Sequence, residues 1–342
     1  MSQEQRRIAQ WSGVDRETFH REIVPQGQPA VLKGVVRDWP SVRRAVESPE
    51  AICAYLLELD GGSEHDAVLV PPGQDGRMFY QPDLSGFNFA RNRLSVSAAL
   101  RMLARYSHFD SPPSMALQCA PIADCMPGFA EANAMPLLEA GVSPRLWLGN
   151  RFQTPAHIDE LDNLACVVGG HRRFTLFPPE QVGNLYIGPL DYTPAGAPVS
   201  MVSLKAPDFE RYPRFRTALA AAQVADLEPG DAVYIPAVWW HHVESFDAVN
   251  ILVNYWWEQA SHATSGHRIS PTKSLLHALL SIRNLPPAHR EAWGTMFAHF
   301  VFSPEVDPAA HLPAARRGVL GPLTPERVEA LLGGLGERSK SI

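Results

Sequence analysis

Residues 114 to 257 contain a series of short hydrophobic runs, rich in β-branched and aromatic residues, that are separated by proline and glycine. The runs are "SMALQCAPI", "RLWLGN", "NLACVVGG", "RRFTLFPP", "DAVYIPAVWWHHVESF" and "NILVNYWW". Several short strands that follow one another at this spacing are typical of a β-sandwich or a β-barrel. We therefore predict a mainly β core over residues 114–258.

The segments on either side of this core have helical patterns. In residues 1–113, "PAVLKGVV" predicts a short strand and "SPEAICAYLLEL" predicts a helix that begins after Ser48, so we expect α/β elements that pack on the core. Residues 259–342 are predicted to be helical, with helix starts at Ser270-Pro271 and Thr324-Pro325.

The C-terminal helical region carries more large apolar side chains than a surface helix pair needs. Trp293, Met296, Phe297, Phe300 and Val301 follow helical spacing and form one wide stripe. Packing against the core of the same chain and packing against a second copy of these helices both fit the stripe. We predict a homodimer through Leu276, Leu279, Leu280, Trp293, Phe297 and Phe300.

Composition excludes several classes of protein. The formal net charge of −6 and the pI of about 6.1 argue against a nucleic-acid-binding surface. The chain begins without a signal-peptide pattern and contains no apolar stretch of membrane-spanning length, so we expect a cytoplasmic protein that does not bind membranes. The four cysteines form no CxxC pair, and we expect reduced, mostly buried thiols.

A candidate metal motif lies in "TPAHIDELDN", residues 154 to 163. On a strand, His157 and Asp159 would share one face and converge on one point. Two histidines and one carboxylate on one face hold iron(II) in non-haem oxygenases. The third ligand should lie on a distant strand, and "VWWHHVES" offers both His241 and His242. Alternation allows only one of them to face inward, and periodicity does not choose between them.

Four segments together resemble one known family, the JmjC-type, cupin-like iron(II) and 2-oxoglutarate dioxygenases. The resemblance is nearest to the hydroxylase branch that includes the factor-inhibiting-HIF asparaginyl hydroxylase. The segments are "TPAHIDELDNLACVVGGHRRFTLFPPEQ", "PDFERYPRF", "PGDAVYIPAVWWHHVES" and "NILVNYWW". The implied fold is a double-stranded β-helix, the jelly-roll or cupin core, with N-terminal α/β elements and a C-terminal helical region.

The resemblance implies an iron site made of His157, Asp159 and His241, because the family's ligand directly follows the aromatic pair. His242 would then point away from the metal. The resemblance also places Trp256 at the substrate opening.

A 2-oxoglutarate site follows from the same resemblance. Thr154 would lie beside the cosubstrate carboxylate, and Asn163 and Asn254 would line its pocket. Arg172 stands where the family usually has a lysine that pairs with the distal carboxylate, and Arg173 is the neighbouring alternative. An aromatic hydroxyl that some relatives contribute has no clear equivalent in "SMALQCA".

These features predict an enzyme that uses Fe(2+), 2-oxoglutarate and O2 to hydroxylate a C–H bond and releases succinate and CO2. Its substrate would be a peptide side chain, an amino acid or a small metabolite, and the iron site by itself does not choose among them. Two other functions fit the fold: a metal-binding cupin enzyme that does not use 2-oxoglutarate, and a catalytically silent binding module. Asp159 with Arg172 argues against the former, and the complete ligand set argues against the latter.

Overall fold

The computed structural model describes residues 6–258, 270–303, 307–322, 324, 326–329 and 331. The chain divides into two compact units, Met1–Trp257 and Glu258–Ile342. The strands are β1 (Arg6–Arg7), β2 (Ala9–Ser12), β3 (Ala30–Lys33), β4 (His65–Val70), β5 (Ala90–Leu94), β6 (Ser114–Pro121), β7 (Pro144–Gly149), β8 (Phe152–His157), β9 (Asp162–Gly169), β10 (Arg172–Phe177), β11 (Gln223–Leu227), β12 (Ala232–Ile235), β13 (Trp240–Ser245) and β14 (Asn250–Trp257). The helices are α1 (Arg16–Thr18), α2 (Pro40–Glu47), α3 (Pro49–Leu59), α4 (Val96–Tyr106), α5 (Ile122–Cys125), α6 (Phe129–Ala132), α7 (Phe215–Ala221), α8 (Pro271–Ile282) and α9 (Pro287–Phe297).

Two sheets build the first unit. Among the described residues, one has five strands in the order β1-β11-β10-β13-β8, and the other has nine in the order β2-β3-β12-β9-β14-β7-β6-β4-β5. Neighbouring strands pair antiparallel except β1 with β11 and β2 with β3. This mostly antiparallel arrangement confirms the predicted cupin or jelly-roll core with additional helices.

An apolar core lies between the two sheets, and we call the sheet faces that line it the inner faces. Alternation along each strand sends every second side chain into this core. Its buried members come from both sheets: Ile8, Val31, Ala165, Val167, Phe174, Leu176, Ala225, Leu227, Val233, Ile235, Trp239 and Leu252.

The outer faces of both sheets are also covered. Helices α2, α3 and α4 pack through Val42, Leu56 and Leu100 on the outer face of the nine-stranded sheet. Helix α7 packs through Phe215 on the outer face of the five-stranded sheet, against Phe177 and other residues. The predicted strand in 29–36 and the predicted helix after Ser48 are present as β3 and α3, and the Ser48 hydroxyl accepts a hydrogen bond from the Ala51 amide at 3.1 Å.

The cysteines are free thiols, as expected. Cys125 and Cys166 are buried, whereas Cys53 and Cys119 are partly exposed. Burial raises the pKa of Cys125 to about 12, so this thiol is unreactive at neutral pH.

The second unit contains α8 and α9. Ser270 caps α8, because its hydroxyl accepts a hydrogen bond from the Lys273 amide at 3.3 Å. Neither helix has a buried residue, and Leu280 is 85% exposed and Trp293 is 48% exposed. In the part of the chain that the structure describes, no helix has both the length and the apolar character needed to cross a membrane.

Candidate metal centre

Three predicted ligands come together on the inner face of the five-stranded sheet. His157 is the last residue of β8, and His241 on β13 lies directly opposite it in the antiparallel pair. Asp159 lies two residues beyond β8, in the turn that follows, rather than on the strand as the alternation argument assumed. One ligand atom from each of the three lies within 4.8 Å of the others, so a single ion can reach all of them.

Both histidines are oriented by hydrogen bonds to the backbone. The Nδ1 of His157 lies 2.8 Å from the Pro155 carbonyl, and the Nδ1 of His241 lies 3.0 Å from the Trp239 carbonyl. A carbonyl only accepts, so each Nδ1 donates a proton and each Nε2 keeps its lone pair. This is the tautomer in which Nε2 binds a metal ion.

Asp159 is held by three neighbours. Its Oδ2 accepts hydrogen bonds from the Trp256 indole at 2.9 Å and from the Asn163 amide at 3.1 Å, and it lies 3.5 Å from Nε2 of His241. Burial alone would raise the pKa of Asp159, but the interactions with His241 and His157 outweigh it and hold the pKa well below its usual range. Asp159 is therefore a carboxylate at neutral pH.

The two histidines differ in their electrostatic surroundings. Burial and the neighbouring His241 lower the pKa of His157 to about 4, so its imidazole is neutral at pH 7. Burial also acts to lower the pKa of His241, but the hydrogen bond and the charge of Asp159 raise it overall. A positive ion at the cluster would displace the proton that Asp159 attracts to His241.

His242 lies outside the cluster. It is 3% exposed, and neither ring nitrogen has a hydrogen-bond partner. Successive strand residues point to opposite faces, so His242 points to the outer face when His241 points inward. The structure thus brings His241 and not His242 to His157 and Asp159.

A β-bulge brings Thr154 to the same side as His157. The two residues are three apart, a spacing that would put them on opposite faces of a regular strand. Opposite β13, however, His157 pairs with His241 and Thr154 pairs with Val243, so β8 contains one extra residue between these pairs. Thr154 therefore faces inward and lines a small cavity of about 30 Å³.

Arg172 lines the same cavity, at the start of β10. Its Nε is buried and has no hydrogen-bond partner, and burial lowers its pKa to about 10, so the guanidinium remains charged at neutral pH. Arg173 points the other way, and its Nε and Nη2 donate to the two carboxylate oxygens of Asp226 at 2.6 and 3.1 Å. Of the two arginines, Arg172 is the one that faces the interior, and its Nε–H group makes no hydrogen bond.

Asn163 and Asn254 lie in a chain of hydrogen bonds that ends at the cluster. The Trp147 indole donates to Oδ1 of Asn254 at 2.8 Å, and the Asn254 amide donates to Oδ1 of Asn163 at 3.3 Å. The Asn163 amide then donates to Asp159. Trp147 and Trp256 meet edge to face at 6.3 Å, so two aromatic rings border this chain. Asn163 and Asn254 thus help to orient the carboxylate of Asp159.

Comparison with protein families matches residues 16–263 to the family described as "Cupin-like domain", which is more than half of the chain. The chain belongs to the cupin-like domain family. Cupin-like domains of the JmjC type commonly occur in iron(II) and 2-oxoglutarate oxygenases and typically bind both groups. The two histidines and the aspartate of this cupin-like chain are a donor set that fits iron(II).

Curated relatives include proteins with different names. HSPB1-associated protein 1 of Homo sapiens is 34% identical over 155 residues, which are 45% of this chain and 31% of that protein. Lysine-specific demethylase JMJ31 of Arabidopsis thaliana is 33% identical over 141 residues, 39% of this chain and 25% of that protein. tRNA wybutosine-synthesizing protein 5 of Danio rerio is 28% identical over 280 residues, 75% of this chain and 76% of that protein. The chain thus matches less than a third of the length of the first two relatives.

Gln118 and Trp147 also belong to the interior of this cupin-like domain, although the sequence pattern did not single them out. Both line the cavity that contains Thr154 and Arg172. The Gln118 amide contacts the Met78 sulfur at 3.6 Å, a weak hydrogen bond. The sequence indicated Gln118 only as a polar residue in an otherwise apolar strand, and one such residue does not by itself predict a place in a binding cavity.

A larger cavity of about 830 Å³ lies on the outer side of the same sheet. It is lined by Gln153, the strand neighbour of Thr154, and by Arg77, whose guanidinium stacks on the Phe79 ring at 3.5 Å. Among the described residues that line it, none belongs to the ligand cluster. The chemistry of the cluster is therefore separated from this cavity by the sheet itself.

Proposed function

We propose that this protein is an iron(II)- and 2-oxoglutarate-dependent oxygenase that hydroxylates a C–H bond. The observation that carries the proposal is the charged guanidinium of Arg172, whose buried Nε has no partner, on the inner face of the sheet that holds His157 and His241. An unpaired buried guanidinium is costly unless an anion pairs with it. A ligand that reaches from the metal ligands to Arg172 and carries a carboxylate at its far end satisfies this requirement.

The ligand cluster would hold iron(II) through the Nε2 atoms of His157 and His241 and a carboxylate oxygen of Asp159. Three protein ligands leave coordination positions for a bidentate cosubstrate and for oxygen. When bound, iron(II) and 2-oxoglutarate supply the oxidative chemistry, in which 2-oxoglutarate and O2 give succinate and CO2 and one oxygen atom enters a C–H bond.

Three side chains would hold the distal carboxylate of 2-oxoglutarate. Arg172 supplies the charge from β10, and Thr154 supplies a hydroxyl from β8, on the other side of β13. Gln118 comes from the strand in which relatives place an aromatic hydroxyl, and its amide can donate in the same role. A charge-assisted bond with neutral donors beside it is the usual way to bind a buried carboxylate.

Trp147 and Trp256 would exclude water from the reacting carbon. Their rings meet edge to face, and their indole N–H groups are used by Asn254 and Asp159, so the ring faces are what remain for contact. Dry aromatic surface beside the cluster favours reaction of the bound substrate over loss of the oxidant to water. We place Trp256 at the substrate opening for this reason.

The substrate that we propose is a peptide side chain, an amino acid or a small metabolite, and the reaction is hydroxylation. The names of the relatives indicate lysine demethylation for one and tRNA wybutosine synthesis for another, so relatives with this domain act on different substrates. The net charge of −6 disfavours tRNA as the substrate of this chain.

An anaerobic titration tests the proposal. Iron(II) and 2-oxoglutarate together should produce a weak visible charge-transfer band, and air should then convert 2-oxoglutarate to succinate. Asp159→Ala should remove the band, whereas Arg173→Ala, which changes the outward-facing neighbour of Arg172, should keep it. Iron binding to the unmutated protein without a band on addition of 2-oxoglutarate would contradict the cosubstrate assignment.

A further inference from the structure

Arg145 lies on the inner face of the nine-stranded sheet beside the predicted metal site. In β7 it pairs with Asn254 of β14 on one side and with Pro121 of β6 on the other. Residues directly opposite in an antiparallel pair point to the same face. Asn254 contacts Asn163 in the interior, so Arg145 also points inward, two residues before Trp147.

A bulge in β6 lies opposite Trp147, two residues from Arg145 along β7. Leu117 pairs with Leu148 and Ala120 pairs with Leu146, and all four pack on the outer side. Gln118 and Cys119 therefore both lie opposite Trp147. Cys119 has a φ of 53°, a left-handed conformation that is costly for a side chain with a Cβ.

Arg145, Cys119 and Asp159 are electrostatic neighbours. Burial is the main cause of the raised pKa of Cys119, and the charge of Asp159 adds to it, whereas the charge of Arg145 acts to lower it. Both charges thus act on one thiol, and Asn254, the strand partner of Arg145, is linked through Asn163 to Asp159 by hydrogen bonds.

The guanidinium of Arg145 is available for binding. The side chain is partly buried, and it makes no hydrogen bond or ion pair with any residue that the structure describes. Arg173, by comparison, is neutralised by Asp226 through two hydrogen bonds. A planar guanidinium with free N–H groups fits carboxylate or phosphate oxygens. Because the chain carries a net charge of −6, its overall electrostatic field does not attract anions. An anionic ligand therefore needs a positively charged side chain at its binding site.

We propose that Arg145 is the anchoring residue for a negatively charged substrate and binds its carboxylate or phosphate group while the Trp147 and Trp256 rings contact the remainder. The substrate class is thereby narrowed to anions. This inference rests on the proposed oxygenase function, but its first test needs neither iron nor turnover.

Cys119 provides a reporter beside Arg145. The metal-free protein is treated with a dianionic aromatic disulfide, 5,5′-dithiobis(2-nitrobenzoate), and separately with neutral 2,2′-dithiodipyridine, and labelling at Cys119 is followed by peptide mapping. The ratio of the two rates within one protein cancels changes in the reactivity of the thiol. Arg145→Gln should lower the anionic-to-neutral ratio by about fivefold or more, because a nearby positive charge is lost. Arg145→Lys keeps the positive charge, so its ratio should stay close to that of the unmutated protein.

Arg101→Gln is the matched control, because Arg101 is exposed on α4. It should leave the ratio unchanged. An unchanged ratio in Arg145→Gln, or a Cys119 that neither reagent reaches, overturns the proposal. If either of these outcomes is found and the unmutated protein still gives the charge-transfer band with iron(II) and 2-oxoglutarate, the anchoring role has failed while the oxygenase function stands.

The second measurement uses cell extract separated on an anion exchanger. The retained fraction should stimulate succinate formation by the iron-loaded protein, and Arg145→Gln should respond less. Stimulation by the unretained fraction only, or by neither fraction, overturns the assignment of an anionic substrate.

Discussion

His157 and His241 face each other across the β8–β13 pair, with their ring centroids 4.2 Å apart. Two imidazoles at this distance cannot both be protonated without strong repulsion, and the lowered pKa of His157 reflects desolvation and this neighbour. The arrangement is unfavourable for two cations and favourable for one shared metal ion. The ligand set is the basis of the first prediction.

His157→Ala, Asp159→Ala and His241→Ala should each abolish succinate formation and weaken iron(II) binding, because two protein ligands hold the ion poorly. His242→Leu is the control, since this neighbour points to the other face and neither of its ring nitrogens has a hydrogen-bond partner. Metal analysis and succinate assays check the four variants. Loss of iron in His242→Leu with retention in His241→Ala would show that the assigned ligand is wrong.

Arg172→Ala should weaken 2-oxoglutarate binding by about tenfold or more, because a charge-assisted hydrogen bond in a partly dry cavity contributes roughly 1.5 to 3 kcal/mol. Iron binding should barely change. Arg173→Ala should behave like the unmutated protein, because its guanidinium pairs with Asp226 on the outside. The cosubstrate KM decides between them, and an effect confined to Arg173→Ala would transfer the role to that residue.

Gln118→Leu should raise the KM for 2-oxoglutarate about threefold to tenfold, the range expected for loss of one net hydrogen bond. The control is Gln153→Leu, because Gln153 hydrogen-bonds to the Asp75 carbonyl on the other side of the sheet. Its KM should stay near that of the unmutated protein. Equal KM values for the Gln118 variant and the unmutated protein would remove Gln118 from the cosubstrate site.

The metal-free protein should lose stability as the pH falls from about 6.5 to about 3. Burial, with Arg77 and His157, lowers the pKa of His242 to about 3, so below pH 6.5 the unfolded state binds a proton that the folded state does not. The free energy of unfolding then falls by up to about 1.4 kcal/mol per pH unit for such a group. His242→Leu should show a shallower slope in denaturant titrations at pH 7, 6 and 5. The same slope in both proteins would contradict the buried neutral state of His242.

We also propose that the protein is a homodimer through its C-terminal helices, as the stripe in the sequence suggests. Leu280 and Phe302 are 85% and 72% exposed, and burial of such large apolar side chains against a second copy would form an apolar interface. Light scattering should give twice the mass of 37.7 kDa, and Leu280→Glu with Phe302→Glu should give a monomer. Val46→Glu, at an equally exposed position on α2, is the control. A monomeric mass for the unmutated protein at micromolar concentration would contradict the dimer.

The sequence determined the strands and the residue types of the candidate site. Short β-branched runs between prolines and glycines specify strands locally, and the Ser48 and Ser270 caps specify helix starts, because these preferences act within a few residues. The spacing of His157 and Asp159 indicated a metal for the same reason: two of the three predicted iron ligands lie in one short segment.

Tertiary structure decided which side chains meet. His241 rather than His242, and Arg172 rather than Arg173, face inward because of the pairing of β13 and β10 with their neighbours. The bulge in β8 turns Thr154 to the inner face, and the pairing of β6 with β7 places Gln118 there. A one-residue shift in register reverses every side chain of a strand, and register depends on partners that are distant in the sequence. Local patterns therefore identify the types of residue in the candidate site, and only the pairing of the strands determines which of their side chains come together.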